Sequence, residues 1–463
     1  MGRFSAPAPP LGVPGHTGVG YHAGSVPLRP QATTARPASD APSLRTSRLT
    51  LAVGLALVAV SLIPLLVTIG DKELGDLWLY QSAAAKLWSG AVPYLDWQIE
   101  YPPYALPAFF LPSLFGPLGY AAAFAVEMLL VDVGLKLLLL FQARRWNRGW
   151  LGLAPLALFA LDGWAQSFLY LKRFDLVPAA LVLLAVLALS RGRALSAGVA
   201  VACAVGVKVY PLVLIPVLAA AALREKRLGR FAAGVGLGLA PLVVLGFFAP
   251  WWRSVFFQAD RALQAESVYA SVIWLLHLTA GLPARWTWVQ AWIDVQGPVA
   301  AALVVPAKVL AAATVLGSVA GATWSAFRGP VRDASRMAAL LLCPLLALIA
   351  FANVLSPQFL IWYWALMALA LPAVPLSAIA CLAIAGPLTA LIYPSPGYDT
   401  PSGLELWRTV ALVARNFLLI AGWALLVFDQ VGQVVRWRLT ESAAAPTSVP
   451  PSKPIKPRKN TRR

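Results

Sequence analysis

The stretch LTLAVGLALVAVSLIPLLVTIGDKELGDLWLYQSAAAKLWSGAVPYLDWQIEYPPY, residues 49–104, decides how this chain is read. Its first part, 49–70, is an unbroken apolar run, and about 20 such residues suffice to cross a bilayer core as a helix. The segment after it is more than a linker. Where the chain leaves the lipid it carries Asp71, Glu73, Asp76, Asp96 and Glu100 among a crowd of Tyr and Trp. Asp76 to Trp88 reads as a short amphipathic helix lying in the interface. Tyr80 comes four residues after Asp76 and shares its face, and Trp78 and Trp88 suit the head-group level. Gly90 and Pro93 punctuate a turn, and Pro102-Pro103 force extended backbone that cannot join a helix. The expectation is a stiff, acidic loop at the mouth of a helix bundle.

The rest of the chain repeats the apolar theme. Of 463 residues, 59% are hydrophobic and 12% charged, with a mean hydropathy of +0.72, whereas a soluble domain is about 25% charged. Separate apolar runs predict an all-α polytopic membrane protein; a membrane β-barrel would alternate over short segments instead. After the first run, spans are expected at roughly 120–141, 150–170, 174–190, 194–208, 209–223, 231–250, 298–325, 337–355, 358–373, 374–393 and 407–431, about 12 in all. The short pieces 194–208 and 209–223 are expected to form a broken pair meeting near Lys208-Val209-Tyr210-Pro211. Gly234, Gly236 and Gly238 fall inside a span and read as helix-packing residues. Residues 1–46, rich in Pro, Ala, Gly, Ser and Thr, read as a disordered tail, 47–431 as the membrane domain and 432–463 as a basic tail.

The net charge of +18 raises nucleic acid as a partner, but its placement excludes it. Lys and Arg gather in RRWNR (144–148), RGR (191–193), REKRLGR (224–230), FRGPVRDASR (327–336) and SKPIKPRKNTRR (452–463). Short basic clusters between spans are the positive-inside pattern, and the last also suits anionic membrane lipids. Both termini are therefore expected in the cytoplasm of a multi-pass cell-membrane protein, with 71–103 and the Trp-rich stretch 251–297 outside. Three cysteines within apolar runs and three histidines argue against a disulfide framework and a metal site. No phosphate-binding P-loop and no dinucleotide fingerprint is present.

Further charges sit at the outer ends of spans, where charge is expensive: Lys172-Arg173-Phe174-Asp175, Lys208, and Arg261 with Glu266. A carboxylate at an apolar boundary is a candidate general base, and cations at its depth are candidates to hold a lipid phosphate. Two classes fit this pattern, a transferase acting on lipid-linked substrates and a transporter or lipid-linked sugar flippase. The concentration of acids in one outer loop, without an inverted repeat, favours the transferase.

Five segments in order resemble glycosyltransferase family 87, within the C-type glycosyltransferases. They are GDLWLYQSAAAKLWSGAVPYLDWQIEYPPYALP, KRFDLVPAALVLLAVLALSRGR, GVKVYPLVLIPVL, RALQAESVYASV and LSPQFLIW. The resemblance implies a hexosyltransferase of cell-envelope biosynthesis, moving mannose from a polyprenyl-phosphate donor to an extracytoplasmic glycolipid or glycan acceptor with inversion, without a cofactor. An arabinofuranosyl donor is the close alternative. By resemblance Asp76 is the catalytic base. Substrate-binding candidates are Tyr94, Asp96, Glu100 and Tyr101 of the same loop, Arg173 and Asp175, Lys208 and Tyr210, and Arg261, Gln264, Glu266 and Ser267. Tyr80, from its shared face with Asp76, and His277, which follows the Arg261–Ser267 motif in the same stretch, complete the candidate set.

Overall fold

A computed structural model describes residues 44–70, 76–116, 119–146, 149–256, 261–289, 292–329, 332–393 and 403–444. The expected N-terminal tail up to residue 43, the acids Asp71 and Glu73, and the tail beyond 444 lie outside the described residues.

The chain is helical almost throughout. The first apolar run forms α1 (Leu44–Val67), and the interfacial helix expected after Asp76 is α2 (Leu77–Trp88). Then come α3 (Leu106–Phe110), α4 (Tyr120–Trp146), α5 (Ala154–Ala165), α6 (Ser167–Tyr170), α7 (Leu176–Ser190), α8 (Ala194–Val207), α9 (Ile215–Arg224), α10 (Leu228–Gly246), α11 (Arg253–Phe256) and α12 (Val268–Ala280). A hairpin of β1 (Arg285–Val289) and β2 (Trp292–Gln296) precedes α13 (Pro298–Arg328), α14 (Ala334–Phe351), α15 (Phe359–Ala370), α16 (Leu376–Ile392) and α17 (Leu406–Ala444). Five stretches, Arg48–Val67, Leu228–Gly246, Pro298–Arg328, Ala334–Phe351 and Leu406–Gln433, are long and apolar enough to cross a membrane, and seven shorter apolar ones accompany them. The protein is a helical membrane protein.

Burial orders the helices. In α14, 83% of the apolar window is buried, against 11% in α13. The bundle therefore builds around α14 and α15, the latter buried from Leu360 to Ala370, and α13 presents its apolar surface outward. Small residues decide the closest approach, between α8 and α10. A methyl group on Gly198 would strike the Phe231 carbonyl, and one on Gly234 would strike the Leu195 carbonyl. Gly238 packs on Ala202 in the same seam, whereas Gly236 faces open space.

The broken pair forms where expected. Lys208 is extended at the end of α8, with φ −154° and ψ 140°, and a short 3-10 turn over Tyr210–Leu214 leads into α9. Two details depart from a plain all-α reading. The stretch 251–297 is not one outer loop. It contains α12, capped by the Ser267 hydroxyl and closed by Gly281 in the left-handed region (φ 70°), and an antiparallel hairpin pairing Trp286 with Val295 and Thr287 with Asp294. Residues 263–265 add to its edge, through Ala265 N–H to Ile293 O at 2.8 Å and Val295 N–H to Leu263 O at 3.0 Å. The cause is alternation: Trp286 and Trp288, then Ile293 and Val295, repeat with the period of a strand. Composition presents the same residues as an aromatic girdle.

The two ends of the bundle differ in chemistry. α7 begins at Asp175 and ends at Arg191, and α14 begins at Asp333 and ends at Phe351. Arg145, Arg191 and Arg332 share one cavity, and Arg332 pairs with Glu225 at 3.2 Å just past α9. The basic loops therefore meet at one end, and the residues from the acidic first loop lie at the other.

Candidate active site

Two aspartates set the site. Asp76 and Asp175 stand at the N-caps of α2 and α7, and neither side chain caps its helix. Each instead faces a cation from elsewhere in the chain. Asp76 Oδ2 lies 3.4 Å from Arg173 Nε; 26% of the Asp76 side chain is exposed against 3% for Arg173. The arginine therefore sits behind the carboxylate and leaves its open side to an incoming group. Arg173 also donates to the Tyr393 hydroxyl at 3.2 Å. Burial works against its charge, but Asp76 and the surrounding tyrosines outweigh that and hold the guanidinium firmly protonated. Asp175, fully buried, accepts from Lys208 Nζ at 2.6 Å and from Trp362 Nε1. The extended backbone at Lys208 lets its ammonium reach back across the break.

Aromatic rings wall these pairs. Lys208 Nζ lies 4.9 to 5.7 Å from the ring centres of Tyr101, Phe174, Phe359 and Trp362, a cation–π cage. Tyr210 stacks on Trp362 at 4.2 Å and 4°. Tyr80 stacks on Phe109 at 4.5 Å and 3° and meets Phe174 edge-on at 5.5 Å. The hydroxyls of Tyr80 and Tyr210, and Asp175 Oδ2, are buried without a hydrogen-bond partner among the described residues. Such orphan polar atoms are rare in a native interior and mark where a bound group can supply the missing partner.

The first loop is stiff, as its prolines and turn residues imply. Asp96 accepts the Val92 N–H at 2.6 Å and is exposed, so it closes the turn. Tyr94 holds a positive φ of 67°, a strained state for a bulky residue. It is fixed there by its hydroxyl's bond to Tyr101 O at 2.6 Å. Glu100, half-buried, faces the site. Burial raises its carboxyl above the ordinary value; Tyr101 lowers it by a hydrogen bond, the Asp76 charge raises it further, and Lys208 and Arg261 pull it down. Those couplings put one carboxylate within electrostatic reach of both Asp76 and Lys208.

The segment 261–267 divides its labour. Arg261 lays its guanidinium over Trp292 at 4.1 Å, and its carbonyl accepts from Asn353 at 2.9 Å. Gln264 donates to Ser356 Oγ at 3.0 Å. Glu266 instead binds Arg415 Nη1 of α17 at 2.6 Å, both side chains being at most 1% exposed, and Asn416 donates to the Glu266 carbonyl. Ser267 caps α12. Glu266 and Ser267 thus anchor the segment that carries Arg261 and Gln264. His277 is not brought to Asp76. It sits at the far end of α12, stacked on Trp274 at 4.6 Å with Nδ1 2.8 Å from Leu282 O.

Asp76, Tyr80, Glu100, Tyr101, Arg173, Asp175, Lys208 and Tyr210 therefore converge, with Arg261 coupled to Glu100; Asp96, Glu266, Ser267 and His277 hold structure nearby. Trp362 and Tyr393 belong to the site although sequence reasoning does not single them out. Trp362 lies within LSPQFLIW, and a Trp after a Pro-Gln turn carries no chemical signal of its own. Arg415 has one: an arginine well inside the apolar run of α17 demands a partner. Among the described residues no group of three or more His, Cys, Asp or Glu is placed to hold a metal ion.

A helical membrane protein thus gathers carboxylates and cations from four distant segments at one end. Glycosyltransferase family 87 matches residues 99–357, more than half of the chain, and the chain belongs to that family. It is a membrane glycosyltransferase. The matched residues include Glu100, Arg173, Lys208 and Glu266, whereas Asp76, Tyr80, Tyr393 and Arg415 lie outside them. No curated protein matches the chain.

Proposed function

We propose that the protein transfers a hexose, mannose in our reading, from a polyprenyl-phosphate donor to a hydroxyl of a glycolipid or glycan on the extracytoplasmic face, with inversion. The observation that carries this is Asp76: a carboxylate withheld from its own helix, backed by a buried arginine and open on its other side. Asp76 takes the proton of the acceptor hydroxyl as that oxygen attacks the anomeric carbon. The bond from the anomeric carbon to the phosphate oxygen breaks from the opposite face, and polyprenyl phosphate leaves. Lys208, the more accessible of the two site cations, receives the leaving phosphate. Arg173, behind Asp76, orients the base. Glu100 and the orphan hydroxyls of Tyr80 and Tyr210 are suited to the sugar's hydroxyls. The shorter apolar helices complete a bundle of about 12 spans, with both termini in the cytoplasm.

The test is purified protein in lipid nanodiscs, given radiolabelled polyprenyl-phosphate mannose and an acceptor lipid extract. We expect labelled glycolipid from wild type and, for Lys208→Ala, a loss of about tenfold or more in donor kcat/KM, the scale of one charge-assisted phosphate contact. Donor use by Lys208→Ala equal to wild type would remove Lys208 from the donor site. Transfer from another lipid-linked sugar but not from mannose would replace the sugar and keep the mechanism.

A further inference from the structure

We propose that the cavity at the basic end of the bundle, opposite Asp76, is a binding site for the phosphate headgroup of an anionic membrane lipid. The cavity encloses about 390 Å³ and is lined by Arg145, Arg191 and Arg332, by Gln142 and Ser335, and by Trp146. Three separate segments supply the three guanidiniums, so the site exists only in the folded bundle. Two polar side chains are set deep in it. Ser335 is 3% exposed, and its Oγ has no hydrogen-bond partner among the described residues. Gln142 is 8% exposed.

Ser335 lies in the first turn of α14, and it is its hydroxyl, not its N–H, that is left open to a ligand. The one carboxylate in the lining, Asp333, is turned back onto the N–H groups of Ser335 and Arg336 at 2.9 and 3.3 Å. It caps the helix and leaves the arginines' remaining donors to a ligand. Of these, Arg332 also pairs with Glu225 at 3.2 Å in an exposed contact. Burial lowers the proton affinity of the Arg191 guanidinium, and the charges of Arg145 and Arg193 lower it further. Positive charge is crowded here beyond what nearby acids neutralise, and a phosphate would relieve it.

Position identifies the lipid as the source. Trp146 and Pro372 add apolar surface to the lining, and a Trp beside basic residues at the end of a membrane helix suits head-group depth. A basic pocket between helices at that depth suits an anionic head group. The site is separated from the Asp175–Lys208 pair by the 15 residues of α7, about 22 Å of helix. It is therefore distinct from the transferase site and independent of which sugar is transferred.

The experiment is native mass spectrometry of protein extracted from nanodiscs of phosphatidylcholine alone or doped with phosphatidylglycerol, with inorganic phosphate and glycerol phosphate as soluble competitors. We expect phosphatidylglycerol to be retained saturably by wild type and retention to fall about tenfold or more in the Arg145→Ala/Arg191→Ala double variant. Ser335→Ala, which removes no charge, should weaken retention by a smaller factor. The double variant should keep full transferase activity, which ties the lost retention to the cavity rather than to misfolding. No saturable retention by wild type overturns the proposal, as does equal retention by the double variant. Binding of inorganic phosphate without retention of the lipid overturns the lipid assignment in favour of a soluble phosphoryl ligand.

Discussion

Asp76 and Asp175 each forgo a hydrogen bond that an N-cap aspartate ordinarily makes, which is worth about 1 kcal/mol to a helix. At Asp76 the carboxylate therefore serves the site and the Arg173 pair, not the helix. Replacing it with Asn removes no cap, because none exists, and Arg173 keeps its bond to Tyr393, but the proton acceptor is gone. We expect Asp76→Asn to lose some unfolding temperature, because it takes the charge partner from the buried Arg173, yet to stay folded and turn over roughly 100-fold or more slowly, the usual scale for a positioned base. Asp96→Asn, acting on an exposed turn, should do less harm. Activity of Asp76→Asn within a few-fold of wild type at equal protein level would move the base elsewhere, to Glu100 first. Glu100 makes a separate, signed prediction. Its carboxyl is raised above the ordinary 4.5, chiefly by burial, so the folded state binds that proton more tightly than the unfolded state. Stability tied to this group is thus fully present below about 4.5 and is lost as pH rises through the raised value. Glu100→Gln, which cannot ionise, should gain in unfolding temperature relative to wild type between about pH 5 and 8, with no gain below about pH 4. A constant offset across that range would mean that the fold does not raise the Glu100 carboxyl.

At the level of elements, periodicity and charge make part of the molecule legible in the sequence. The helix after Asp76, the break at Lys208 and the packing of Gly234 and Gly238 all carry local signals: turn residues, a Lys-x-Tyr-Pro break and small residues in an apolar run. The hairpin at 285–296 is hidden because Trp-rich alternation and an aromatic girdle share one composition. Trp362 and Tyr393 are hidden because their roles arise only when α15 and the end of α16 meet the loop at Arg173. Glu266 stands out in the sequence, but its partner decides its role. With Arg415 it forms a buried ion pair joining the segment 261–267 to α17. Breaking such a pair strands a buried charge and costs about 3–5 kcal/mol, whereas removing both charges can be near neutral. Glu266→Gln should therefore lower the unfolding temperature in detergent sharply, and Glu266→Gln/Arg415→Met should recover much of the loss. If the single change were silent, the pair would not be the anchor and Glu266 would again be a candidate substrate contact.

For the whole molecule the governing feature is polarity along the bundle. Carboxylates, caged lysine and orphan tyrosine hydroxyls gather at one end, and Arg145, Arg191 and Arg332 at the other. Basic loops resist translocation, and acidic ones do so far less. The basic end should therefore face the cytoplasm, which places Asp76 on the extracytoplasmic side. This arrangement is open to direct labelling, because Ser89, at the end of α2, and Arg193, in the turn before α8, are both exposed. In a background with Cys203, Cys343 and Cys381 replaced, an impermeant maleimide should modify Ser89→Cys in intact cells. It should reach Arg193→Cys only after lysis. Neither position touches the site residues, so both variants should retain transfer activity, which ties the label to folded protein. The reverse pattern would turn the molecule over and put Asp76 in the cytoplasm, where a donor presented in the outer leaflet could not reach it. Labelling of both positions in intact cells would place both ends of the bundle on one side and remove the spanning reading of α7, the helix that separates them.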